Sequence, residues 1–260
     1  MSTWVLLRGL TRERRHWGSF PALFGEQVGA ARVIALDLPG NGAWHRLRSP
    51  TQVDAMVAAC RADLQRRSVA PPYHLLAMSL GAMVACAWGF AHPAELAGAV
   101  LINTSLRPFS PFTQRLRPRN YATLARLLLT HPSAREWEQA VLRLTSNMGE
   151  HSPNEAEALV DTWAAYRRDS PVSTANALRQ LSAAARFRAP ATAPATPLLV
   201  LTSAGDALVD PRCSTRLAAQ WRCPVATHAW AGHDLPLDDG PWVAAQVAEW
   251  LRGVRAASSL

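Results

Sequence analysis

The sequence predicts an α/β protein with about six mainly parallel strands and one long helical insertion. Three observations carry this. Short apolar runs at 3–7, 31–36, 73–78, 97–102, 198–202 and 224–230 alternate little, as in strands buried on both faces. Helical patterns separate them at crossover spacing, which sets consecutive strands parallel with helices on both sides of the sheet. From 106 to about 189 the alternation stops and only helical signals remain.

The elements follow in order. The run at 3–7 ends in the loop Arg8-Gly9-Leu10, and a helix is expected from His16 to about Val28. After the strand at 31–36, Asp37-Leu38-Pro39-Gly40-Asn41-Gly42 is turn chemistry. A helix is then expected from Ser49 as cap, with Pro50 at its first position and Gln52 closing a capping box, running to about Arg67. The strand at 73–78 passes through Ser79 into an apolar helix at 80–91, which His92-Pro93 ends.

In the insertion, Ser133-Ala134-Arg135-Glu136 and Ser152-Pro153-Asn154-Glu155 read as capping boxes, and Ser170-Pro171 as a cap with proline behind it. With the stretch 120–130 this makes about four helices, returning through the proline-rich linker 189–197. The last three elements are a helix at 213–221, the strand at 224–230 and a helix at 241–251, with fraying expected beyond Gly253. The division is therefore a core of 1–105 and 190–260 and a lid of 106–189.

At 260 residues the chain can bury its core as one main domain without staples. The cysteines, Cys60, Cys86, Cys213 and Cys223, lack C-x-x-C spacing and read as reduced, apolar side chains. No stretch approaches the ~20 apolar residues of a membrane span, and no signal peptide is legible, so a soluble, cytoplasmic protein without a membrane partner is expected. The formal charge of +8 comes from arginine alone, without lysine. The arginines are spread over both halves and not interleaved with the tryptophans, so no nucleic-acid partner is expected. A basic surface still suits the steering of an acidic substrate or carrier.

Three reactive residues fall at the carboxyl ends of three strands: Ser79, Asp206 and His233. Open α/β sheets place their sites at that edge. Ala77 and Gly81, two before and two after the serine, permit the sharp turn that lifts a hydroxyl clear of the sheet. A serine hydroxyl is a poor nucleophile at neutral pH, so a histidine must take its proton and an acid must orient that histidine. None of the eight histidines has a metal-ligand spacing, so no metal and no other cofactor is expected.

Ala77-Met78-Ser79-Leu80-Gly81, Gly205-Asp206-Ala207-Leu208-Val209, Gly232-His233-Asp234 and Asp37-Leu38-Pro39-Gly40, in that Ser, acid, His order, resemble the α/β-hydrolase family over nearly the whole chain. In size and plan the chain is similar to bacterial carboxylesterases such as the pimeloyl-carrier-protein methyl esterases. The resemblance implies the α/β-hydrolase fold, catalytic Ser79, Asp206 and His233, and an oxyanion hole at the backbone N–H groups of Leu10 and Leu80. Asp210 is the rival acid, and Asp206 is preferred because it lies nearer the strand end. Asn103 stands at the other common acid position. His228 and His74 read as packed strand residues, His16 as structural or solvent-facing beside an aromatic, Trp17, that the family often carries, and His45, His92, His131 and His151 as neighbours of turns or prolines.

The chain departs from the family in two places. Arg8-Gly9 stands where members carry His-Gly, and Arg8 is expected to pair with a carboxylate such as Asp234. Almost nothing precedes Trp4, so about six strands without the leading hairpin are expected.

A serine at the elbow argues against the aspartate-dependent dehalogenases and epoxide hydrolases of this fold. The expected activity is hydrolysis of small to medium acyl esters through an acyl-enzyme. Thioesterase, acyltransferase, perhydrolase or carbon-carbon hydrolase chemistry stays open as alternatives, as does a non-catalytic receptor. The lid arginines, Arg115, Arg117, Arg119, Arg126, Arg135 and Arg143, read as solvated helix faces or as a dock for an acidic acyl carrier.

Overall fold

The computed structural model describes residues 2–130 and 132–258. Six strands, β1 (Thr3–Leu7), β2 (Arg32–Leu36), β3 (Tyr73–Met78), β4 (Leu96–Ile102), β5 (Leu198–Ser203) and β6 (Val225–His228), form one parallel sheet in the order β2-β1-β3-β4-β5-β6. Their register brings the carboxyl ends to one edge: Leu7 pairs with Ala77, Met78 with Ile102, and Ser203 with His228.

Alternation along the strands feeds two apolar layers. Val5, Leu7, Leu75, Ala77 and Leu101 face one layer, completed by side chains of α2 (Val53–Arg66), α3 (Leu80–Ala91) and, later in the chain, residues 212–221. Trp4, Leu6, Leu76, Met78 and Ile102 face the other, with α1 (Phe20–Val28) and residues 240–258. The four central strands are buried on both faces, which is why their runs read as continuously apolar, while the edge strands β2 and β6 are partly exposed.

Between β4 and β5 lie α4 (Phe112–Arg115), α5 (Tyr121–Leu129), α6 (Ala134–Thr145), α7 (Met148–His151), α8 (Pro153–Asp169) and α9 (Thr174–Arg186). Four are longer helices and two are single turns. After β5 come α10 (Arg212–Trp221), α11 (Leu235–Asp238) and α12 (Gly240–Ser258). No helix among the described residues is long and apolar enough to cross a membrane.

Several helix starts differ from the sequence reading. The helix expected from His16 begins at Phe20. A 3-10 turn, Arg14–Trp17, precedes it, and Gly18 at φ 55° interrupts the two. Helix α2 begins at Val53, with Gln52 as an N-cap that makes no side-chain bond. Ser49 is drawn away from capping because its hydroxyl donates to the Pro39 carbonyl at 2.6 Å and its N–H to Asn176 Oδ1 at 2.9 Å.

In the insertion, the Ser133–Glu136 capping box forms, whereas Ser152 makes no side-chain cap bond. Ser170 closes α8 rather than opening the next helix, and Ser173 caps α9 by accepting the Asn176 N–H at 3.1 Å. Helix α12 runs through Ser258, past the fraying expected at Gly253, and α11 had no signal in the pattern. All four cysteines are free, and burial pushes the Cys60 thiol up to about 12.

Candidate active site

β3 delivers Ser79 to the head of α3 in a strained conformation, φ 53° and ψ −118°, which an L-residue adopts only when its surroundings impose it. They do so from both sides. The Ser79 N–H donates to the Ile102 carbonyl at 3.0 Å, tying the turn to β4, and the Ser79 carbonyl accepts from Thr104 Oγ1 at 3.1 Å. Gly81 is required one residue into the helix: a Cβ there would stand 2.5 Å from the Leu7 carbonyl and 2.7 Å from that of Arg8. The close approach sets the β1 loop against the serine, since a Cβ on Gly9 would lie 3.1 Å from Ser79 Cβ. Among the described residues neither the Leu10 nor the Leu80 N–H has a hydrogen-bond partner. The Leu80 N–H is one of the free donors at a helix N-terminus, where the helix dipole favours negative charge.

Asp206 follows β5 and is fully buried. Its Oδ1 accepts the N–H groups of Leu208 and Val209 at 2.8 and 2.9 Å, leaving Oδ2 to meet His233 Nδ1 at 2.7 Å. Asp210 does not reach the histidine. Its carboxylate is held by Arg212, which with its backbone N–H brings the pKa down to about 2. For His233, burial pulls the pKa down, but the charge and hydrogen bond of Asp206, with Asp234 adding, outweigh it and raise the net value above the ordinary 6.5. Ser79, His233, Leu10 and Leu80 line one cavity.

The loop carrying His233 is fixed by two groups. Asn103, at the end of β4 with φ 44°, donates from Nδ2 to Ser203 Oγ, the Gly232 carbonyl and the His233 carbonyl at 2.9, 3.2 and 2.8 Å, while its Oδ1 accepts the Ser203 N–H. Asn103 thus joins the ends of β4 and β5 to the loop after β6. In the sequence it marked only the absence of an acid; the available signal was an asparagine at a strand end, one of the few residues at ease in the left-handed region. Arg8 pairs with Asp234, Nη1 to Oδ1 at 2.9 Å and Nη2 to Oδ2 at 2.5 Å, both buried, and its guanidinium lies over Trp17. The arginine in place of the family's histidine therefore ties the β1 loop to the histidine loop.

A second buried ion pair had no sequence signal. Arg12 Nη1 meets Glu138 of α6, Arg167 of α8 approaches the same carboxylate at 3.7 Å, and the Arg12 guanidinium stacks on Trp163. Gln180 of α9 adds bonds to the Thr11 N–H, Asn41 and Ser49. These contacts seat the insertion on the β1 and β2 loops.

The other histidines are occupied elsewhere. His228 contacts Asp239 and accepts the Ala231 N–H, His74 stacks on Trp4, and His16 packs against Trp163 and Tyr166. His16 is buried rather than solvent-facing, and burial with Arg12 and Arg8 holds it well below the usual histidine range. His45 bonds within its own turn, His151 packs on Trp230, and His131 lies outside the described residues.

The insertion's arginines divide. Arg135 pairs with Asp161 and Glu157, Arg117 and Arg119 donate to the carbonyls of Asp206 and Ala207, and Arg126 and Arg143 are exposed. Arg115 is buried, not a solvated helix face. Among the described residues no group of three or more His, Cys, Asp or Glu side chains is arranged to hold a metal.

A serine on a strained strand-to-helix turn, a buried acid on the histidine, and free backbone donors beside the serine define a site of the hydrolase type. The chain belongs to the alpha/beta hydrolase family, whose model matches residues 4–246. Among its relatives is "Putative carbamate hydrolase RutD" of Variovorax paradoxus (strain S110), 32% identical over 224 residues, 77% of this chain and 75% of that protein. The fold matches the enol-lactonase from Burkholderia xenovorans LB400 with TM-score 0.77 at 16% identity, over 96% of this chain and 91% of that one. It matches a thermophilic esterase from Thermogutta terrifontis with TM-score 0.74 at 20% identity, over 98% of this chain and 90% of that one.

Proposed function

We propose that this hydrolase is a serine esterase that cleaves small to medium acyl esters through Ser79, His233 and Asp206. The observation that carries the reading is the 2.7 Å contact between His233 Nδ1 and Asp206, on a histidine that lines the same cavity as the strained Ser79. With Nδ1 engaged by the acid, Nε2 is the nitrogen left for the serine proton. Ser79 Oγ attacks the ester carbonyl carbon as His233 takes its proton, and the carbonyl oxygen becomes an oxyanion accepting from the N–H groups of Leu10 and Leu80. Collapse breaks the bond to the alcohol, which leaves with the proton from His233. Water then attacks the acyl-enzyme, again giving its proton to His233, and the acid and free Ser79 are released.

The cavity is about 190 Å³, below the roughly 300–1,000 Å³ of pockets for drug-sized ligands, which favours small to medium acyl groups over long chains. Residues 106–189 act as the lid in this reading: Leu116, Leu124, Leu127, Leu128, Val141 and Leu144 supply the apolar wall. The exposed Arg126 and Arg143 are the positions left for an acidic acyl carrier. Carbamate hydrolysis by the same residues is the second reading, favoured by the printed function of the relative at 32% identity.

Hydrolysis of p-nitrophenyl acetate and butyrate by the wild type and by Ser79→Ala tests the proposal, with an N-alkyl p-nitrophenyl carbamate as a parallel substrate. Ester turnover that Ser79→Ala abolishes supports it. Equal rates for the two proteins overturn it, and turnover of the carbamate alone moves the assignment to the second reading.

A further inference from the structure

Three arginines line the cavity: Arg8, Arg12 and Arg115. Two carry their own counter-ions, Asp234 and Glu138. Arg115 has none among the described residues. It is 8% exposed, its Nη2 donates to the Ala184 carbonyl at 2.6 Å, and its buried Nε has no partner. The largest charge effect on it comes from another cation, Arg107. A guanidinium keeps its charge in a protein, and burying one without an anion is unfavourable. Such an arrangement is tolerated where a ligand brings the missing charge. The cavity that Arg115 lines is otherwise largely apolar, with Phe112, Leu116, Leu127 and Leu181 in its wall, so the ligand must join an anionic end to an apolar stretch.

We infer that Arg115 is a specificity residue that binds a carboxylate at the far end of the acyl chain, so that the substrate class is the half-ester of a dicarboxylic acid. The unpaired guanidinium matches one carboxylate in charge and in fork geometry, whereas a phosphate dianion calls for a second free cation in the cavity, and Arg107 is not among the residues that line it. The inference rests on the cavity being the substrate site of the proposed esterase. The bond to Ala184 alone, joining α4 to α9, needs a donor but no charge, and that is the purely structural role the test must separate.

The test compares monomethyl and dimethyl esters of glutarate, adipate and suberate by pH-stat titration, using wild type, Arg115→Gln and Arg115→Lys. The wild type is expected to prefer the monoester of at least one chain length. Arg115→Gln is expected to cut the ratio of kcat/KM, monoester over diester, by about tenfold or more through KM, with partial recovery in Arg115→Lys. A ratio unchanged by Arg115→Gln, or a wild-type preference for every diester, overturns the inference. Binding of the same monoesters to Ser79→Ala, with and without Arg115→Gln, is read by calorimetry and does not require turnover. Binding lost with Arg115→Gln supports the subsite even where the esterase reading has failed, and equal binding overturns it.

Discussion

The sheet-side wall of the cavity and the wall supplied by α4 to α9 hold their functional groups by different means. On the sheet side, main-chain groups are the anchors: Ser79 is tied to the Ile102 carbonyl, Asp206 sits on two backbone N–H groups, and the Asn103 amide holds the carbonyls of Gly232 and His233. On the insertion side, side chains do it, through the Arg12–Glu138 pair and the bonds of Gln180. In the proposed mechanism the reactive atoms sit at the ends of the hydrogen-bonded strands, and selectivity is set where a few buried polar contacts decide the position of a helix. Changes on the two sides should therefore separate chemistry from stability.

The largest effect is expected from Ser79→Ala, which should lower kcat on p-nitrophenyl butyrate by roughly 10³-fold or more while leaving the melting temperature little changed, because alanine at φ 53° bears the same backbone strain as serine. Steady-state rates and a thermal melt check both halves, and a melt that falls with the rate would erase the distinction between the walls. Next, Glu138→Ala leaves the buried Arg12 and the half-buried Arg167 without their shared carboxylate. A loss of about 3–5 kcal/mol in urea unfolding is expected. Asn103→Ala removes four hydrogen bonds from the sheet edge. It should lower kcat/KM and also cost about 2–4 kcal/mol, which marks it as a positioning residue of the rigid wall.

The smallest effect is one of pH. His233 must be neutral to accept the serine proton, so kcat/KM falls as pH drops through its pKa, and that limb should lie above the ordinary histidine value of 6.5. Asp234→Asn removes a carboxylate that raises the pKa and leaves the opposing Arg8 uncompensated, so the limb should move to lower pH. A pH–rate profile of each protein reads the shift.

Legibility divides along the same line. The strands, the serine turn and the order of Ser79, Asp206 and His233 were readable because buried strands are continuously apolar and strand ends converge on one edge. Arg8 with Asp234 was readable as an arginine in need of an acid. The cap assigned to Ser49 failed because its hydroxyl serves the Pro39 carbonyl, a contact set by tertiary structure. Asn103, the Glu138 pair and the burial of Arg115 were hidden for the same reason, since a polar residue in a helical or loop pattern looks alike whether it faces solvent or a neighbouring element. Contacts made by side chains between distant elements, on either wall, are the ones that local sequence describes least.

The central claim is that Ser79 is the nucleophile, and covalent labelling tests it most directly. Treated with a fluorophosphonate, the protein should gain one phosphonyl group that peptide mass spectrometry maps to Ser79, and Ser79→Ala should stay unlabelled with its hydrolysis abolished. Label on another residue, or ester hydrolysis by Ser79→Ala at the wild-type rate, would contradict the account.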